Sequence, residues 1–281
     1  YPTTSLGKEL SSHEIQQIEH ETFMTQRSQV LLGRDDVLSQ IQGYIDNADN
    51  KPLVLVGLPG AGKSAIIATV ANKASKIQDY KVFYHFVGAT SGSTDLYHIL
   101  TRFWVEFMSA SDKVPSDFSE LKRSMELIMQ RASKSAKKDN KSKVIILIDA
   151  LNQMDDEGDA QSLTWLPKLL PTNVKIIVST LEGRCLDAFR QLDNPPKEIT
   201  AEPLNENIRK DIVTAIFDEY NKKLDEEQMS LLVRKSDAGK PLYLTVACEE
   251  LRVFGDFRKL TEKIKDMPQE MTKLLEQVLS R

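Results

Sequence analysis

Cysteine and histidine are scarce in this sequence. Cys185 and Cys248 are the only cysteines among 281 residues, and there are four histidines. With no C-x-x-C spacing and no acid or cysteine cluster beside His85 or His98, neither a zinc site nor a disulfide framework is expected; both histidines are read as structural, and the setting as reducing and cytoplasmic. Long apolar runs are missing too. The longest, such as Val144 to Ile148, fall far short of the roughly 20 residues a membrane helix needs. The polar opening Tyr1 to Leu10 has no charged-then-apolar leader, so neither secretion nor a membrane partner is expected. Positive charge is not in excess: 37 Lys and Arg stand against 41 Asp and Glu, a net charge of −4, and no nucleic acid is expected as a main partner. No internal repeat is visible. The initiator methionine is lacking, which sets the expectation that the sequence was cut from a longer chain.

What is present can build a core. Hydrophobic residues make up 41% and charged residues 28%, a balance that excludes wholesale disorder. Residues 1–28 are polar and read as a peripheral arm, with a helix from about Ser12 to Gln26 capped by Ser11 or Ser12. From 29 to 201, short β-branched runs at Leu53–Val56, Val82–Val87, Val144–Ile148 and Val174–Val178 alternate with helical segments. Near-continuous apolar strands joined by long crossovers predict a doubly wound parallel sheet of the α/β class. From 202 to 281 the pattern is wholly helical. Ile208, Ile212, Ala215 and Ile216, then Met229, Leu232 and Val233, then Met271, Leu274, Leu275, Val278 and Leu279 recur at helical spacing. Pro241 suits the first residue of a helix, where its missing N–H is harmless.

The most specific feature is Gly57-Leu58-Pro59-Gly60-Ala61-Gly62-Lys63-Ser64, a G-x-x-x-x-G-K-[ST] pattern between a predicted strand and a predicted helix that opens at Ala65. Glycines let backbone N–H groups curl round a phosphate, and the helix adds the positive end of its dipole. Lys63 suits the β- and γ-oxygens of a nucleotide, and the Ser64 hydroxyl suits Mg²⁺. Asp149 ends the apolar strand Val144–Ile148, the place from which a carboxylate meets the same ion. Beyond it lie two amides, Asn152 and Gln153. An amide orients water but takes no proton, so slow hydrolysis is expected; Asp155 and Asp156 lie past the position a base would occupy. Thr180, ending the next strand, either senses a γ-phosphate or is ordinary strand-end polarity, and Arg184 is a weaker candidate for the same task.

Two further segments, Leu31-Leu32-Gly33-Arg34 and Gly239-Lys240-Pro241, join the loop and Asp149 in a pattern that resembles the STAND branch of AAA+-like ATPases, specifically the NACHT group. Trp165-Leu166-Pro167, Leu170-Pro171, Ile177-Val178-Ser179-Thr180 and the segment Glu249 to Gly255 are similar to the NACHT modules of the nephrocystin-3 and telomerase-associated-protein type, from about residue 22 onward. The resemblance implies an ATP/ADP switch with Mg²⁺, self-association, Leu31, Leu32, Gly33 and Arg34 beside the adenine, and Gly239 and Pro241 packing on the base from a helical lid. It also implies a winged-helix domain after residue 281. The acidic second position of the family's Mg²⁺ motif is replaced here by Asn152-Gln153. A remodelling ATPase with sustained turnover and a non-hydrolysing nucleotide-stabilised scaffold are the competing readings. The basic run Arg131, Lys134, Lys137, Lys138, Lys141 and Lys143 reads as a solvated loop. Asn221-Lys222-Lys223-Leu224 lacks the acid of a guanine-reading motif, which leaves ATP favoured over GTP.

Overall fold

A computed structural model of the chain describes residues 11–167, 169–254 and 259–280. Positions 1–10 of the arm, and Gly255 at the end of the Glu249–Gly255 segment, lie outside the described residues. The chain opens with α1 (Ser12–Arg27), whose start is a reciprocal cap: the Ser11 side chain accepts from Glu14 N–H while the Glu14 carboxylate accepts from the Ser11 backbone. There follow α2 (Asp35–Asp46), β1 (Leu53–Val56), α3 (Lys63–Ser75), β2 (Tyr80–Phe86), α4 (Leu96–Phe107), α5 (Phe118–Arg123), α6 (Met125–Lys138), β3 (Lys143–Asp149), β4 (Val174–Thr180), α7 (Arg184–Arg190) and β5 (Lys197–Thr200). The rest is α8 (Glu206–Asp218), α9 (Glu226–Val233), α10 (Pro241–Val253), α11 (Leu260–Asp266) and α12 (Met271–Leu279).

The five strands form one wholly parallel sheet in the order β2-β3-β4-β1-β5. Side-chain alternation sends Leu53, Leu55, Ile145, Leu147 and Ile177 to one face, under α2 and α3, and Val54, Val56, Ile146, Ile148 and Val178 to the other, under α4, α6 and α7. Both faces are dry, which is why these strands read as unbroken apolar runs. The fifth strand escapes that signal. Lys-Glu-Ile-Thr pairs only with β1 at the sheet edge and buries Ile199 alone, and edge strands carry charge.

At the opposite edge, α1 packs on α3 and β2. Over residues 11–28 the arm is docked on that edge: His20 and Met24 are buried, and His20 Nδ1 accepts the Phe86 N–H of the edge strand. The basic run is corrected. Arg131, Lys134, Lys137 and Lys138 sit exposed on α6 rather than in a loop, because Ile128, Met129, Ala132 and Ala136 fill the buried side of the same helix. His98 pairs with Asp95 on α4, and His85 is buried in β2.

After Ala201 the helices share a core of their own, built on Val213, Phe217, Leu232, Val233, Tyr243, Leu244, Ala247 and Leu251. Ile208, Ile212 and Ile216 are only partly buried against it, and α12 buries Met271 and Leu274 while Leu275 and Leu279 face solvent.

Candidate functional site

The glycine-rich loop links the tip of β1 to the start of α3, and its backbone explains its glycines. Gly60 and Gly62 have φ of +78° and +88°, a conformation that side chains with a Cβ rarely adopt. A Cβ on Gly57 would meet both the Cβ and the carbonyl oxygen of Ala201 at 3.1 Å. Gly62 is the N-cap of α3, so the first N–H groups of that helix lack intrahelical partners. Leu58 and Pro59 are exposed, and Ser64 and Ala65 are half-buried. Lys63 is only 9% exposed; its Nζ donates to the Gly57 carbonyl at 2.7 Å and the Leu58 carbonyl at 3.1 Å. Burial lowers its pKa, and the Asp149 carboxylate opposes that shift.

Asp149 is 2% exposed at the end of β3. Burial pushes its carboxyl above the ordinary range, while the Ser179 and Ser64 hydroxyls and the Lys63 ammonium pull it back. The Ser179 Oγ donates to Asp149 Oδ1 at 2.5 Å and itself accepts the Ala150 N–H at 2.8 Å. Ser179 is thus the partner that orients the carboxylate.

Thr180 has two readings from sequence, a γ-phosphate sensor or ordinary strand-end polarity, and its packing matches the second. Period-two alternation puts Ser179 on the α3 face with Asp149 and turns Thr180 to the other face. There it is fully buried, donates to the Leu181 carbonyl at 3.2 Å and hydrogen-bonds with the Cys185 thiol. The parity was readable from the strand; which face carried the loop was not.

The two amides part ways. Asn152 Oδ1 accepts the Leu181 N–H at 3.2 Å, tying the tips of β3 and β4 together, whereas Gln153 is exposed beside Gly88. Asp155 accepts from the Thr94 hydroxyl, and Arg184 is held by Asp156 at 2.8 Å and Asp159 at 2.7 Å.

From the helical part, α10 presents its first turn to the loop. A Cβ on Gly62 would sit 3.5 Å from Pro241 Cγ, one on Gly60 would sit 3.3 Å from Leu242 Cβ, and the Leu242 N–H points to the Gly60 carbonyl at 3.4 Å. Gly239 packs on Pro203, where a Cβ would come to 3.0 Å, and its carbonyl accepts the Leu204 N–H.

Leu31 and Leu32 are half-buried, Leu31 against the α2–α3 side of the core, and Gly33, at φ +65°, abuts Ile208 of α8. The buried Arg34 side chain donates to the Ala61 and Glu202 carbonyls. Both terminal nitrogens are thus engaged by backbone carbonyls, while Nε has no hydrogen-bond partner.

The donor set fits a hard cation with a polyphosphate. Ser64 and Asp149 bring two oxygens to one point beside Lys63. Among the described residues no group of three or more His, Cys, Asp or Glu is gathered to hold a metal. An ion here would take its other ligands from phosphate and water, as Mg²⁺ does.

A parallel sheet with this strand order, a glycine loop between β1 and α3, and an acid at the tip of β3 define a P-loop NTPase module. A profile of the family described as nephrocystin 3, N-terminal, matches residues 36–180, and the chain belongs to that family, with the NACHT type of NTPase. It is 26% identical over 240 residues to telomerase protein component 1 of Rattus norvegicus, covering 81% of this chain and 9% of that protein. It is 24% identical over 254 residues to the human NACHT domain- and WD repeat-containing protein 1, covering 86% of this chain and 16% of that protein. The chain therefore spans well under a fifth of the length of these relatives. In fold it is similar to a Walker-type ATPase of Pyrococcus abyssi, with a TM-score of 0.56, 14% identity, and coverage of 89% of this chain and 75% of that one. No helix among the described residues is long and apolar enough to cross a membrane.

Proposed function

We propose that the chain is an ATP/ADP-operated switch module, with the α/β part (29–201) binding the nucleotide and the helical part (202–281) closing over it as a lid. The observation that carries this reading is that Pro241 and Leu242 of α10 rest on Gly62 and Gly60 of the phosphate loop itself. Lid position and loop occupancy then share one surface, so a bound nucleotide biases how the two parts meet. Lys63 and the loop amides bind the phosphates, and Ser64 and Asp149 hold Mg²⁺, which screens charge on the β- and γ-oxygens. Pro241 offers an apolar face to the purine. Gln153 orients water without accepting its proton, which favours slow hydrolysis over sustained turnover. Opening of the lid frees the module to self-associate within a longer protein.

Calorimetric titration with ADP and ATP tests the site. Lys63→Ala removes a charge-assisted phosphate contact worth about 1.5–3 kcal/mol, a loss of roughly tenfold to more than a hundredfold in affinity. Undiminished affinity in that variant refutes the assignment. A single-turnover assay separates the competing readings: bound ATP converted over minutes supports a switch, many turnovers per second a remodeller, and ATP intact for hours a scaffold.

A further inference from the structure

Arg34 occupies the junction of three backbone segments. It precedes α2 and is 5% exposed. One terminal nitrogen donates to the Ala61 carbonyl at 2.8 Å, inside the phosphate loop; the other donates to the Glu202 carbonyl at 2.7 Å. Its Nε has no hydrogen-bond partner. Burying a guanidinium is costly unless its donors are satisfied, so the bridge exists only while both carbonyls face it.

Each of those carbonyls sits where the backbone can turn. Ala61 lies between Gly60 and Gly62, both in the left-handed region, so a small rotation of either glycine re-aims its carbonyl. Glu202 follows the last sheet hydrogen bond, from the Ala201 N–H to the Val56 carbonyl, and precedes the first one of the helical part, from the Leu204 N–H to the Gly239 carbonyl. Glu202 and Pro203 are thus the linker on which the helical part would pivot. Arg209 holds the far side of that linker through the Leu204 carbonyl at 2.7 Å.

We propose that Arg34 is a positioning residue that couples the phosphate loop to the interdomain linker, through one rigid guanidinium shared between the Ala61 and Glu202 carbonyls. An anion that sets the loop amides also sets the Ala61 carbonyl on the other side of the same peptide chain. The bridge closes and the linker is fixed; with the loop rearranged, one end of the bridge is lost and the linker is released. The coupling rests on reading residues 57–64 as the phosphate cradle.

Amide hydrogen exchange of the 281-residue chain, with and without ADP, tests it. In the wild type, ADP slows exchange at residues 57–65 and, at the same ADP concentrations, by at least about tenfold at Leu204–Glu206. Arg34→Lys keeps the buried charge but replaces the planar fork, with its two donating terminal nitrogens, by one nitrogen on a shorter side chain. At ADP concentrations that saturate it, that variant keeps the loop response at 57–65, while the ADP-dependent slowing at 204–206 is lost; Arg34→Gln behaves likewise. A residue that served stability alone would change exchange in the ADP-free protein and leave the ADP-induced difference in place. Retention of linker slowing in Arg34→Lys overturns the coupling, as does a wild type that protects its loop without its linker. Failure of ADP to protect even residues 57–65 of the wild type removes the phosphate-cradle reading itself. If Arg34→Gln does not fold, Arg34→Lys and the wild-type comparison decide the matter.

Discussion

At the scale of single residues, the acid at the end of β3 is governed by two opposing influences. Burial favours its neutral form, and the Ser179 and Ser64 hydroxyls, the Lys63 ammonium and the Ala150 N–H favour the carboxylate that a metal would require. Ser179 is the best placed of them, with a hydroxyl 2.5 Å from Oδ1. Ser179→Ala leaves a buried carboxyl short of a donor, at an expected cost of about 1–3 kcal/mol in stability, and drives its pKa further up. Mg²⁺-dependent ATP affinity then falls on acidification at a higher pH than in the wild type, while affinity measured in a chelator changes little. Titration calorimetry at two pH values, with and without Mg²⁺, checks this. The candidate site was legible at Gly57–Ser64 and Asp149 because backbone conformation and metal chemistry there demand particular residue types. Ser179 was not, since a serine at a strand end becomes an orienting group only when the neighbouring strand places an acid beside it.

At the scale of elements, contact between the helical part and the loop depends on absent side chains. Gly33 has a positive φ, and a Cβ there would overlap the Ile208 side chain on α8. Gly33→Ala combines backbone strain with that clash, an expected loss of about 1–3 kcal/mol. Ile208→Ala in the same chain recovers the steric share and leaves the backbone share. Urea denaturation of both single variants and the double variant gives the coupling, and strict additivity excludes the contact. Pro241→Ala keeps α10, whose first turn needs no N–H from that residue, and reduces nucleotide affinity less than Lys63→Ala does, by titration. Helices α1, α3, α8, α9, α10 and α12 and four of the strands were readable from capping, periodicity and apolar runs. The fifth strand was not, because Lys197-Glu198-Ile199-Thr200 buries one side chain and is held by backbone pairing with β1, which leaves no composition signal.

At the scale of the whole molecule, the sheet edge under α1 gives stability a pH dependence. His20 and His85 lie with ring centroids 4.5 Å apart and planes tilted by 50°, His85 Nδ1 lies 2.7 Å from the Arg102 guanidinium, and Gln17 accepts from the same arginine. Burial, then neighbouring positive charge, pushes the pKa of His20 down to about 2 and that of His85 down to about 3. An unfolded chain protonates both near pH 6.5. Between those values the unfolded state takes up protons that the native state refuses, so this contribution is complete above pH 6.5 and declines as pH falls below it. The slope approaches about 1.4 kcal/mol per pH unit for each histidine. Thermal melts from pH 7.5 to 5 are expected to fall steadily, and less steeply for His20→Gln. Identical pH profiles exclude the buried cluster as the source.

Sequence alone determined the fold class, the glycine-rich loop, the acid that ends β3 and the change from α/β to all-helical structure near residue 201. Each of these is written in local terms: positive φ needs glycine, a doubly covered strand needs an apolar run, and a helix face needs its period. Tertiary structure alone decided that Arg34 bridges the Ala61 and Glu202 carbonyls, that Ser179 rather than Thr180 meets Asp149, and that Pro241 and Leu242 rest on Gly62 and Gly60. Those pairings join residues far apart in the chain, and their geometry follows from sheet order and strand parity.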